Sequence, residues 1–336
     1  MTSLSEIPFS ILDRSRVRQG QSHPEALRET VEFARLAEQW GYHRFWVSEH
    51  HSVPGVAGSA PTVLAAAVAA ATERIRVGTG GVMLPNHQPL VVAEQFGTLE
   101  SLFPDRIDMG LGRSVGFTDG VRRALGHGKD DADDFDAQLA ELLDYFTVGR
   151  SGVHAWPAEG LRVPAFLLAI GSGADRAARF GLPLVIAAAA GEDAMVAAIE
   201  QYRNDFQPQP GRDAPYVMVS TSVVLADTAA QAHRLLLPEA WSAAYSRTRG
   251  EFPPLIAPEQ IEREPMTDRQ RGLFEDALRG HIHGPEATVL PALERLVART
   301  AADEILVHTS TYDRAARLDS HRRLAAAVIP AAVGAA

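Results

Sequence analysis

Four short runs of residues in this sequence have the types and spacing to do chemistry. The first, Glu49-His50-His51, sets a carboxylate beside two imidazoles one residue, Ser48, after the apolar Phe45-Trp46-Val47. An imidazole can give or take a proton near pH 7. Alternation along a strand turns neighbours to opposite sides, so Glu49 and His50 should not share one role. Consecutive residues rarely converge on one ion, and no metal is expected here. A solvated loop with a hydrogen-bonded histidine accounts for the same letters.

The second run, Arg76 to His87, carries Gly78, Gly80, Gly81 and Met83. Glycine weakens a strand, so this cluster implies close approach by a ligand or another backbone, or a bulge at a sheet rim. In the third, Arg113 follows Gly112 and is placed to fork onto a phosphate, or to pair with a surface carboxylate. The fourth, Gly171-Ser172-Gly173, opens a helix; its free N–H groups make an anion site, and a plain cap by Ser172 explains it equally. His281-Ile282-His283 reads as a loop pair rather than a metal site, and Asp130–Asp136 as a solvated acidic run.

Alternating strands and helices must position these runs. Strands are expected at Pro8–Asp13, Arg44–Ser48, Ile75–Thr79, Ile107–Leu111, Pro164–Ala169, Pro183–Ala188, Val217–Leu225 and Glu304–His308. Helices fit between them, among them Pro24–Trp40, Pro61–Thr72, Leu90–Leu102, Phe135–Phe146 and Thr228–Leu237. Strict alternation means parallel pairing with helices outside. An open, doubly wound sheet would place glycines after its first strand, but that strand ends Leu12-Asp13-Arg14-Ser15. Polar and glycine clusters at several strand ends instead fit an α/β fold of the (β/α)8 TIM-barrel kind, with its site on the C-terminal rim. The whole chain, 1–336, is expected to be one domain. A long insertion between strands 7 and 8, about 238–285, is expected to lack strands and act as a lid.

Composition narrows the function. A formal charge of −10 argues against a nucleic-acid partner, and the apolar runs are too short to span a membrane. With no signal pattern near the start, a cytoplasmic protein is expected. There is no cysteine, and Lys129 is the single lysine, so thiolate and Schiff-base chemistry elsewhere in the chain is excluded.

Taken together, the segments resemble the bacterial luciferase-like flavin monooxygenases. The likeness runs from Phe9–Asp13 through Glu49-His50-His51 and is densest between Arg74 and Arg113. It implies a reduced flavin, FMNH2, made by a separate NAD(P)H:flavin reductase and used with O2 to oxidise a small-molecule substrate. Deazaflavin F420 is the alternative cofactor, and a non-catalytic flavin-binding subunit the alternative role. His50, with Glu49 beside it, would assist the reaction. The cofactor would meet Gly80, Gly81, Met83, Gly112, Arg113, Gly171, Ser172 and Gly173, and the resemblance implies a cis peptide at Gly80-Gly81. Ala169 and Ile170 stand where the family carries hydroxyl or acidic residues, so weak binding of oxidised FMN is expected. Trp241, Tyr245 and Phe252 on the lid favour a bulky apolar substrate. The Arg- and Ala-rich composition hints at a GC-rich genome, and with it an aromatic secondary metabolite such as a polyketide, in antibiotic biosynthesis. The family also implies a homodimer through helices two and three.

Overall fold

The computed structural model describes residues 3–116, 118–147, 152–169, 173–189 and 191–330. The chain begins β1 (Phe9–Asp13), α1 (His23–Gln39), β2 (Arg44–Val47), α2 (Pro61–Ala70), β3 (Arg76–Thr79) and β4 (Val82–Met83). It continues α3 (Pro89–Leu102), β5 (Ile107–Gly112), α4 (Asp119–Leu125), α5 (Phe135–Asp144), β6 (Ala165–Ala169) and α6 (Ala174–Arg179). Next come β7 (Leu184–Ala187), α7 (Glu192–Asp205), β8 (Val217–Thr221), β9 (Val223–Leu225) and α8 (Ala229–Arg249). The last third holds α9 (Pro258–Ile261), α10 (Asp268–Leu278), β10 (Ile282–Gly284), α11 (Glu286–Thr300), β11 (Glu304–Val307) and α12 (Arg314–Val328).

Eight strands close a parallel barrel in the order β1, β2, β3, β5, β6, β7, β8, β11 and back to β1. Closure past β3 depends on the β3–β5 register, Val77 opposite Ile107 and Gly78 opposite Asp108. The glycines there answer to backbone rather than to ligand. A Cβ at Gly110 would lie 1.9 Å from the Thr79 carbonyl, and one at Gly78 2.4 Å from that of Asp108. The chain then passes a cis Gly80-Gly81 peptide, as the resemblance implied, and β4 rejoins β5 at Leu111 and Gly112.

Period-two alternation fills the barrel in layers. At the base, Ser10, Arg44, Arg76, Asp108 and Glu304 form one ion network. Arg44 donates to Glu304 at 3.0 and 3.1 Å and to Asp108 at 2.7 Å, and Arg76 reaches Asp108 at 2.7 Å. Trp46 Nε1 also donates to Asp108, at 3.1 Å, and Tyr216 Oη to Glu304, at 2.6 Å. Asp108 and Glu304 are wholly buried, so their charges require these donors. Above them Leu12, Trp46, Phe166, Val185, Met218 and Leu306 pack as an apolar layer.

The insertion departs from expectation in two ways. The helix expected to end at Leu237 runs through Pro238 to Arg249, and the supposedly strandless stretch contains β10, which pairs with β9. A proline inside a helix costs one hydrogen bond and a steric clash. Burial of Leu236, Pro238, Ala240, Ser242 and Ala244 outweighs that local penalty. The expected single strand Val217–Leu225 breaks at Ser222 because β8 stays in the barrel while β9 leaves it. Helices α9 and α10 fill the rest.

Candidate active site

Continuing the inward alternation past the apolar layer produces a polar rim. In β2 the series Arg44, Trp46, Ser48 leads to His50; Leu12 leads to Arg14, Met218 to Ser220 and Leu306 to His308. The His50 backbone N–H donates to the Gly58 carbonyl at 2.9 Å, and Nδ1 lies 3.4 Å from Ser48 Oγ. Its ring meets Phe252 edge-on, with centroids 6.0 Å apart. Burial, and then the guanidinium groups of Arg14 and Arg16, push the His50 pKa down to about 4. At neutral pH this imidazole carries one N–H and one lone pair, and no charge.

Glu49 faces the other way, as alternation requires, and is 3% exposed. One carboxylate oxygen accepts from His51 Nε2 at 2.6 Å and His87 Nε2 at 2.9 Å, and the other from the Met83 N–H at 2.9 Å. Burial pushes the Glu49 carboxyl up, but these donors win and hold it at about 2. It therefore stays ionised and anchors two rings and the β4 backbone. The sequence reading treated convergence of adjacent residues as improbable. Glu49 and His51 are two apart and so share a side, and His87 joins them from the turn after β4. Their ligand-capable atoms lie within 4.8 Å of one another, bridged by hydrogen bonds.

Other rim residues lie outside the four runs singled out from the sequence. Arg14 ion-pairs with Glu239 of α8 and donates to the His308 carbonyl at 3.1 Å. His308 Nδ1 lies 3.0 Å from Ser220 Oγ, and burial followed by Arg14 pushes its pKa down to about 3. A cleft of about 850 Å³ opens at the ends of β7 and β8, with Ser220, Thr221 and His281 along it. His281 Nε2–H donates to the Ala277 carbonyl at 2.6 Å and His283 Nδ1–H to the His281 carbonyl at 3.2 Å.

The expected flavin residues divide. A Cβ at Gly112 would meet nothing nearer than the Val82 carbonyl at 3.9 Å, so space is open there. Gly81 abuts the Gly110 backbone, and Gly80 faces the Leu12 and Trp46 side chains. Met83 is buried, opposite Gly112 in the β4–β5 register. Arg113 donates to the Ala132 carbonyl and to Asp133, each at 2.8 Å, and is half-exposed. Gly173 caps α6 without a side-chain bond; Gly171 and Ser172 lie outside the described residues. In the insertion, Phe252 reaches His50, whereas Trp241 and Tyr245 pack on each other at 5.3 Å and Tyr245 under Arg249.

Residues 7–304 match the family model described as luciferase-like monooxygenase. The chain belongs to that family, and is accordingly an oxidoreductase of the monooxygenase type. A luciferase-like monooxygenase of Escherichia coli (strain K12) is 38% identical over 322 residues, covering 94% of this chain and 95% of that one. The crystal structure of apo-MsnO8 shares 33% identity at a TM-score of 0.86, covering 98% of this chain and all of the other. The FMN-bound oxygenating constituent of the 3,6-diketocamphane monooxygenase of Pseudomonas putida shares the fold, with a TM-score of 0.71, 18% identity and 97% and 98% coverage. Among the described residues no helix is long and apolar enough to cross a membrane.

Buried neutral histidines make stability depend on acid. His321, 2% exposed, is held at about 3 by burial, and His50 and His308 are also depressed. The unfolded chain, with histidine near 6.5, binds protons the folded chain lacks between that value and about 3–4. Stability is thus full above pH 6.5 and falls as pH drops, by about 2 kcal/mol at pH 5 for His321 alone. Thermal unfolding from pH 8 to 5 should show a flat Tm followed by a decline. A Tm constant down to pH 5 would contradict the neutral assignment.

Proposed function

We propose that the chain is the oxygenating component of a two-component system, in which a separate NAD(P)H:flavin reductase supplies FMNH2. With O2 it hydroxylates or epoxidises an apolar organic substrate, with an aromatic secondary metabolite the preferred class. The observation that carries this is the linkage from open space to base. Gly112, where an added Cβ would meet no atom nearer than 3.9 Å, pairs with Met83, whose N–H binds Glu49, and His50 follows at the mouth beneath Phe252.

When bound, the reduced flavin supplies the electrons that activate O2 for transfer of one oxygen atom. Arg113 would take its phosphate by exchanging Asp133, a half-exposed pair worth about 0–1 kcal/mol at most. Neutral His50 holds a proton on one ring nitrogen and accepts one on the other, and Glu49 fixes the loop that carries it. The segment from α8 to α10 excludes water as a lid, docked by Arg14–Glu239, by Arg16 Nη2 on Ser242 Oγ at 2.6 Å and by the Gly55 N–H on the Phe252 carbonyl at 2.8 Å. A homodimer through α2 and α3 is supported by exposed Val63, Val91 and Leu102 on those helices.

Incubating the protein with FMNH2, 18O2 and candidate apolar aromatics, followed by mass spectrometry, tests the reading. One 18O atom per product is expected. Substrate oxidation by oxidised F420, or substrate reduction by reduced F420, with no oxygen uptake would replace it by hydride transfer.

A further inference from the structure

Behind the rim, between the loop after β1 and the loop before α12, lies a small, partly open cavity of about 20 Å³. Four arginines line it, Arg16, Arg18, Arg314 and Arg317, against two carboxylates, Asp13 and Glu29. Three of the arginines have their own counter-charge. Arg18 forks onto Glu29 at 2.6 and 2.9 Å, Arg317 reaches Asp13 at 3.0 Å, and Arg314 pairs with Glu32 just outside the lining. Arg16 is different. It is 8% exposed, donates to Ser242 Oγ and the Pro253 carbonyl, and has no carboxylate within 4.0 Å among the described residues. Burying a guanidinium without an opposite charge is costly.

Three buried donors on the lining residues also lack acceptors: Arg16 Nε, Arg317 Nε and Ser310 Oγ. Donors without acceptors around one unbalanced positive charge define the complement, a monovalent acceptor with no hydrogens of its own. One unbalanced positive charge beside the Asp13 and Glu29 carboxylates matches a monovalent anion and disfavours the dianions sulfate and phosphate. None of Gly80, Gly81, Gly112 or Arg113 lines it, so it is separate from the space proposed for flavin.

We propose that this cavity is a halide site, holding chloride between Arg16, Arg317 and Ser310. Water satisfies the donors but leaves the charge; chloride satisfies both. The ion would brace Arg16, whose other nitrogen docks Ser242 of α8, so it ties the β1 loop to the insertion.

Thermal unfolding of the full chain at fixed ionic strength and pH, with sodium gluconate replaced stepwise by chloride or bromide, tests this. A saturable rise is expected, of about 2 °C at tenfold excess over the Kd. Sulfate should give no saturable step. Ser310→Ala removes one donor without changing charge and should weaken the halide midpoint about tenfold; Arg16→Met should abolish the step. Crystals grown in bromide should show an anomalous peak between Arg16 and Arg317. Equal Tm in chloride and gluconate, an unchanged midpoint in Ser310→Ala, or water alone at that position would overturn the proposal.

Discussion

Replacing His50 by alanine is expected to lower product formation by about 10²–10⁴-fold while changing FMN affinity no more than about threefold. The asymmetry follows from where the ring sits. His50 touches Ser48, Phe252 and the lid side of the mouth, while the phosphate candidate Arg113 lies on the loop after β5. Because the imidazole is neutral, its removal deletes no charge, and flavin binding loses no ionic partner. Oxygen consumption should continue and end as hydrogen peroxide. The check is parallel measurement of product, peroxide and flavin binding. Unchanged product formation would remove His50 from the chemistry.

The largest effect on stability should come from the barrel base. Asp108→Ala strips a wholly buried carboxylate from Arg44, Arg76 and the Trp46 indole. Removing one partner of such a network leaves uncompensated buried charge and costs about 3–5 kcal/mol. For a chain of 336 residues that lowers Tm by about 5 °C. Arg113→Ala, which loses only exposed partners, should shift Tm by less than about 1 °C. Calorimetry of the two variants separates the layers, and equal losses would mean that the base network contributes no more than a surface pair.

Much of the frame was readable because its signals are local and periodic. The eight barrel strands and most helices announce themselves by apolar runs and by glycine or proline at their ends. Pro238 was misread because its local penalty is set against burial along a whole helix face, which no window around Pro238 reveals. Strands β4 and β10 are two and three residues long, too short for periodicity to register. In the site, His50 was legible from its place after a strand. Its partner Phe252 comes from more than two hundred residues further along the chain. Arg14, Ser220 and His308 were overlooked although a simple signal existed, each standing two residues beyond an inward apolar residue. Glu49 was grouped with His50 in the chemistry. The spatial fact that His87 and the Met83 N–H converge on it could not be read from spacing. The cluster Gly78–Gly81 is ambiguous between ligand and backbone: the β5 backbone crowds Gly78 and Gly81, whereas Gly80 faces the Leu12 and Trp46 side chains.

The interlocked Trp46 and Phe166 rings, 4.9 Å apart, close the interior below the rim. The barrel is therefore a cup rather than a pipe. Under the function proposed, solvent, oxygen and substrate would be exchanged from above, and the contacts that fasten the insertion to the β1 and β2 loops would govern their traffic. Loosening that clasp would then trade selectivity against wasteful leakage.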